Sequence, residues 1–126
     1  MSFAIVYMVL VSIVYFVELV VVVPHLQRGE ADKVALLIFE WGSFMFAVDI
    51  IGYSFMNLAT LFAAPVFSGK RLERWIRWIL IANGLQTPTN AGMIIIPFLW
   101  NIAALWVVTF PLSTVLLAVL FRQRKP

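Results

Sequence analysis

The sequence contains no cysteine and a single histidine, and charged residues make up only 12% of its 126 residues. Without cysteine the chain forms no disulfide, has no thiol nucleophile and offers no thiolate ligand to a metal. A single histidine, His25, excludes haem ligation by two histidines of this chain. The glycine-rich phosphate loop and the HExxH, GxSxG and CxxC motifs are also missing. We therefore expect no metal site, no cofactor and no catalytic residues.

The scarcity of charge accompanies a high apolar content. Hydrophobic residues make up 63% of the chain, against about 45–50% in soluble domains. A chain of 126 residues has too much surface to hide this share of apolar material from water. The composition therefore excludes a soluble enzyme, a disordered tail and a nucleic-acid-binding module, and it predicts an integral membrane protein. The net charge of +3 is then typical of cytoplasmic loops beside anionic headgroups, so the expected partner is the lipid bilayer.

Four apolar segments are long enough to cross a hydrocarbon core of about 30 Å. The first lacks a basic leader and a small-residue cleavage site, so it predicts a retained helix rather than a removed signal peptide. Proline removes a backbone donor inside a helix, and we expect kinks near Pro88 and Pro111. The sequence thus predicts an all-α, four-helix membrane bundle in one domain, residues 1–126, with spans at about residues 3–23, 43–64, 74–96 and 100–121.

The basic residues and tryptophans separate by side of the predicted membrane. Trp75 and Trp78 fall at one interface and Trp41 and Trp100 at the other, as aromatic belts require. Two basic residues, Arg28 and Lys33, lie on the second side. Because basic residues collect on the cytoplasmic side, we expect both termini in the cytoplasm, in a bacterial-type cytoplasmic membrane. Seven basic residues lie on the first side: Lys70, Arg71, Arg74, Arg77, Arg122, Arg124 and Lys125.

Two acidic residues fall inside predicted spans at similar depths. Glu18 lies about 7 Å below the outer end of the first span, and Asp49 about 9 Å below that of the second, at 1.5 Å per residue. An ionisable side chain in hydrocarbon costs about 2.5–3.5 kcal/mol on insertion scales, so it must face protein or water. A carboxylate retained at such a depth indicates a proton or cation site. We expect the two to face one outward-opening site.

Polar stripes at helical spacing run along three of the predicted spans. Lipid offers these side chains no partners, so the stripes should converge on the bundle interior. An alternative interpretation is that their hydrogen bonds only hold helices together. The candidate ligand- or proton-binding residues are Glu18, Asp49, Tyr15, Tyr53, Asn57, Asn83, Gln86, Thr87 and Asn90.

Three functional hypotheses fit these patterns. The leading one is proton- or cation-coupled binding or transport of a small solute, which predicts a cavity between the first and second spans. The second is a non-catalytic accessory subunit, in a homo-oligomer or a larger membrane complex, which predicts a dry core. The third is a membrane-embedded, lipid-modifying enzyme, which predicts a lipid-sized groove beside the carboxylates.

The predicted orientation can be tested with reporter fusions. A reporter that is active only in the cytoplasm should be active when it is joined after residue 77 or at the C-terminus, because the basic residues cluster on that side. A reporter joined between residues 28 and 33 should give the opposite signal. Exposure of segment 70–77 on the outer side would contradict the orientation.

Overall fold

The computed structural model describes residues 2–123, which form helices, turns and connections without a β-strand. The all-α prediction is therefore confirmed for this part of the chain. Three helices within it are long and apolar enough to cross a membrane: Ser2–Gln27, Phe44–Val66 and Pro97–Gln123. Arg124 and Lys125, which contribute to the predicted charge asymmetry, lie outside the described residues.

The first long helix contains a π turn that begins at Glu18. It consists of α1 (Ser2–Val17), the π turn (Glu18–Val22) and α2 (Val23–Gln27). The Val23 amide donates to the Glu18 carbonyl, five residues back. Pro24 follows directly and lacks an amide for α-helical pairing with the preceding turn. π turns occur frequently at functional sites, and this one lies at a predicted site residue.

The connection after the first helix folds back over the end of the bundle. It contains a 3₁₀ turn at Ala31–Val34, and the Phe39 and Trp41 rings lie 5.8 and 4.9 Å from the Phe46 ring. The Ser43 hydroxyl then accepts from the Phe46 amide at 3.1 Å. This N-cap starts α3 (Phe44–Ala63), which a 3₁₀ turn (Ala64–Val66) prolongs.

The third segment differs from the single span predicted over residues 74–96. It consists of α4 (Arg71–Gly84) and the short α5 (Thr87–Gly92), separated at Leu85 and Gln86. The Thr87 hydroxyl donates to the Gly84 carbonyl at 2.8 Å, the acceptor that Pro88 cannot pair with because it lacks an amide. The interruption therefore lies just ahead of Pro88, and neither helix is among those long enough to cross a membrane.

The last segment contains a second interruption. A 3₁₀ turn (Pro97–Leu99) leads into α6 (Trp100–Ala103), and α7 (Trp106–Gln123) follows after Ala104 and Leu105. Helix α7 continues through Pro111, where we predicted a kink. Both hydroxyls that follow this proline, those of Ser113 and Thr114, donate to the Phe110 carbonyl at 2.7 and 3.0 Å.

Helix α3 is the centre of the bundle, since it packs against α1, α4 and α5, and α4 in turn packs against α7. Apolar clusters fill the two ends. The first apolar cluster is formed by Phe46, Ile50, Met93 and Ala103, and the second by Ala64, Ile76, Leu80 and Leu120. The Trp41 and Trp100 rings meet at 5.6 Å beside the first cluster. Arg71 and Arg122 belong to the helix ends at the second, so the predicted sides correspond to opposite ends of the bundle.

Gly84 brings the backbones of α3 and α4 together. A Cβ added there would meet the Leu61 Cβ and lie 3.0 Å from the Leu61 Cα and 3.1 Å from the Asn57 carbonyl oxygen. Backbone atoms cannot move aside as the tip of a side chain can. Only glycine therefore allows this approach.

Gly84→Ala should destabilise the protein, because the methyl group would force α3 and α4 apart. Overpacking costs about 1–3 kcal/mol, which exceeds the gain in helix propensity of up to about 1 kcal/mol. Thermal unfolding in detergent micelles measures the effect. Gly92→Ala is the matched control, since its added Cβ would meet only the Leu99 Cδ1, at 2.7 Å, and this side chain can rotate away. An unfolding temperature of Gly84→Ala equal to that of Gly92→Ala would contradict the assigned role.

Candidate functional site

Glu18 and Asp49 line the same cavity, although they come from different helices. The cavity has a volume of about 240 Å³, and Val14, Tyr15 and Phe39 complete its lining. It lies between the first helix and α3, which are in close contact nearby at Gly52. A Cβ added to Gly52 would lie 2.9 Å from the Val11 Cγ2. The structure thus places the two predicted acids at one site, which we call the acidic cavity.

The carboxyl groups of this cavity are short of hydrogen-bond donors. Asp49 is only 7% exposed, and its Oδ1 has no hydrogen-bond partner among the described residues. The Oε1 of Glu18 is also buried and lacks a partner in that part of the chain. A buried carboxylate without a partner is costly in a low-dielectric environment. A proton or a bound cation would provide these two oxygens with a partner.

A second cavity adjoins the first through two shared lining residues, Asp49 and Phe39. Its volume is about 200 Å³, and we call it the aromatic cavity because five aromatic side chains line it. The Trp106 Nε1 is buried without an acceptor among residues 2–123. The five aromatic side chains are Phe39, Phe46, Tyr53, Trp100 and Trp106.

Tyrosine rings connect the two cavities. The Tyr53 ring lies 5.0 Å from the Trp106 ring and 5.6 Å from the Tyr7 ring. Tyr7, Tyr15 and Asp49 are electrostatic neighbours of the Tyr53 hydroxyl. The Asp49 carboxyl group is therefore surrounded by several phenols and apolar rings.

A separate hydrogen-bonded layer crosses the bundle between the two apolar clusters. The Asn83 amide donates to the Asn57 Oδ1 and the Thr60 hydroxyl, both at 3.3 Å. The Asn83 Oδ1 lies 3.0 Å from the Thr109 hydroxyl, which accepts from the Gln86 amide at 3.3 Å. This polar layer joins α3 and α4 to α7.

The predicted site residues are distributed over three places. Glu18, Asp49 and Tyr15 line the acidic cavity, and Tyr15 is 57% exposed. Tyr53 and Asn90 line the aromatic cavity, together with Asp49. The other four are Asn57, Asn83 and Gln86 in the polar layer, and Thr87, whose hydroxyl bonds locally to the Gly84 carbonyl.

The sequence analysis missed several residues with a place at these sites, among them Phe39, Trp106 and Thr109. Phe39 lies on a connection, and no periodicity indicates that it covers a cavity. Trp106 fits neither predicted aromatic belt, and this mismatch was a usable signal. Thr109 precedes Pro111 by two residues, so the sequence favours a hydrogen bond from its hydroxyl to the backbone carbonyl that Pro111 leaves without an amide. Its hydrogen bonds with Asn83 and Gln86 are not indicated by this pattern.

No protein-family model, curated protein or solved structure matches this chain. Within residues 2–123 there is no group of three or more histidine, cysteine, aspartate and glutamate side chains that could hold a metal ion. The site instead offers two carboxyl groups, phenols and aromatic faces. This set of groups is suited to exchanging a proton or holding a monovalent cation.

Asn83→Leu should destabilise the bundle, because it removes three hydrogen bonds between helices, those to Asn57, Thr60 and Thr109. We expect a loss of about 1–2 kcal/mol, since a hydrogen bond between helices in a membrane contributes about 0.6 kcal/mol on average and Asn83 makes three. Unfolding in detergent by chemical denaturant measures it. Asn101→Leu is the matched control, since Asn101 is exposed and donates only to the nearby Phe98 carbonyl. Equal stability of the two variants would contradict the importance of the polar layer.

Proposed function

We propose that this chain is an integral membrane protein of a bacterial-type cell, a four-helix bundle in which α4 and α5 together form the third, broken crossing, so that both termini lie in the cytoplasm. We further propose that Glu18 and Asp49 form an outward-opening site for proton- or cation-coupled binding or transport of a small solute. The observation that carries this proposal is the acidic cavity, where both carboxyl groups lie without sufficient hydrogen-bond partners.

The identity of the two acids supports a functional role over a structural one. Amide side chains already join the helices in the polar layer, through Asn57 and Asn83. An asparagine or glutamine at positions 49 and 18 would serve the same purpose without the insertion cost of a carboxylate, about 2.5–3.5 kcal/mol for aspartate. Carboxyl groups that remain at such positions are suited to reversible protonation or cation binding.

The position of the cavity supports an outward opening. The acidic cavity lies towards the end of the bundle where the connection bearing Phe39 folds over α3. The polar layer and the second apolar cluster close the opposite end of the bundle. A solute would therefore reach Glu18 and Asp49 from the side that carries Trp41 and Trp100.

An accessory-subunit role is the alternative, and the polar layer favours it. Asn57, Asn83 and Gln86 bond to neighbouring helices, as residues that only hold a bundle together do. This interpretation accounts for the amides but not for the acidic cavity. It becomes the preferred function if Glu18 and Asp49 do not exchange protons or cations.

Infrared difference spectroscopy of the purified protein in lipid nanodiscs tests the proposal. The spectrum at acidic minus alkaline pH should contain the carbonyl stretch of a buried protonated carboxylic acid. Asp49→Asn and Glu18→Gln should each remove or shift that band while preserving helical circular dichroism, because amides still form hydrogen bonds. The nearby phenols of Tyr7, Tyr15 and Tyr53 absorb elsewhere in the spectrum.

Glu40→Gln is the matched control, since Glu40 is exposed on the connection and should contribute only a solvent-exposed carboxyl signal. If the bands of Asp49→Asn and Glu18→Gln both equal that of the unaltered protein, the acidic site is contradicted. The accessory-subunit role then takes its place.

A further inference from the structure

The polar atoms that lack partners around the two cavities indicate what a ligand must supply. Asp49 is more than nine-tenths buried and lines both cavities, yet its Oδ1 accepts no hydrogen bond among residues 2–123. The Glu18 Oε1, on the first helix, is also buried and accepts no hydrogen bond in that part of the chain. A carboxylate oxygen is only an acceptor. A ligand group that carries both positive charge and N–H or O–H donors would supply both oxygens with a partner and compensate their charge.

The aromatic cavity indicates what must be attached to that group. Its walls are rings and aliphatic side chains, and among residues 2–123 the non-aromatic polar side chains that line it are those of Asp49 and Asn90. An apolar cavity of about 150 Å³ is known to accept a benzene molecule, and this one has about 200 Å³. A ring-sized apolar group therefore fits beside Asp49.

We propose that the two cavities together bind a small protonated primary amine, whose ammonium group donates to Asp49 and Glu18 while its ring-sized apolar body occupies the aromatic cavity. This inference rests on the proposed function, because it assigns a substrate class to the same acidic site. Asp49 and Phe39 are the residues common to both cavities. The bond between the ammonium group and the body of the ligand would therefore pass between these two side chains.

A primary ammonium fits better than a quaternary one. Both carry positive charge and both interact with aromatic faces. Only the primary ammonium has three N–H donors, which can reach oxygens on two helices at once. A quaternary ammonium would leave the Asp49 and Glu18 oxygens buried without donors, the condition that costs most.

Calorimetric titration of the unaltered protein in nanodiscs tests the inference, with phenethylamine as the probe. Its trimethylammonium analogue keeps the ring and the charge but has no N–H donor, and 2-phenylethanol keeps the ring without charge. We expect phenethylamine to bind at least about tenfold more tightly than either, since hydrogen bonds to charged groups are worth that much or more. Equal affinities of phenethylamine and its trimethyl analogue would overturn the inference.

Three variants locate the bound probe. Asp49→Asn should abolish phenethylamine binding, and Glu40→Gln should leave it unchanged. Phe39→Ala should weaken phenethylamine binding several-fold while leaving the infrared carboxyl band, because it removes only a wall of the cavities. Unchanged affinity in Phe39→Ala and Asp49→Asn would place the probe elsewhere and overturn the inference.

A measurement on the unaltered protein guards against variants that fail to fold. Phenethylamine should convert the infrared band of the buried carboxylic acid into carboxylate bands, since the ammonium replaces the proton. If that carboxyl band exists but no amine binds or alters it, the amine class is wrong and the proton or cation site stands. If the carboxyl band itself does not depend on Asp49 or Glu18, the proposed function fails as well.

Discussion

Hydrocarbon offers no hydrogen bonds, and in the membrane location that we propose this constraint decides where each polar group of the bundle lies. Every amide, hydroxyl and carboxyl group in apolar helices that cross a membrane must find a partner within the protein. The polar layer satisfies most of it through Asn57, Asn83 and Thr109, which bond to one another across three helices, while the Asn57 Nδ2 and the Gln86 Oε1 have no partner among residues 2–123. In the acidic cavity, the buried oxygens without a partner belong to the carboxyl groups of Glu18 and Asp49. A buried carboxylate without a partner is more costly than a buried amide without one, and this difference in charge separates the two acids from the groups that hold the bundle together.

The same constraint explains the interruptions of the helices. Pro88 leaves the Gly84 carbonyl without its helical amide, and the adjacent Thr87 hydroxyl supplies a substitute. Around Pro111, Ser113 and Thr114 crowd their hydroxyls on the Phe110 carbonyl, and the helix continues. The outcome thus differs between two prolines in similar apolar surroundings. Hydroxyl groups bond to nearby carbonyls at both prolines, so they do not account for this difference.

The sequence could predict the helical class, because long apolar runs and few charges have one physical explanation. It could also predict that Glu18 and Asp49 share a depth, since helical rise converts position along the chain into distance. It indicated an irregularity near Pro88, where we expected a kink, but it could not predict that two separate helices, α4 and α5, would replace the single span, because a kinked and a broken helix have the same sequence pattern when neighbouring helices are ignored. Nor could it place Phe39 at the cavities, since the path of a connection depends on tertiary contacts that leave no periodic trace.

The contact at Gly84 has a mechanical consequence. Backbone meets backbone there, so α3 and α4 cannot slide or tilt past each other without losing their closest packing. The first helix approaches α3 at Gly52, where an added Cβ would lie 2.9 Å from the Val11 Cγ2 and 3.4 Å from the Leu10 Cβ. Valine has one strongly preferred rotamer in a helix, so this contact is also difficult to relax. Because Glu18 lies on the first helix and Asp49 on α3, the separation of the two carboxyl groups is set by the packing of these two helices.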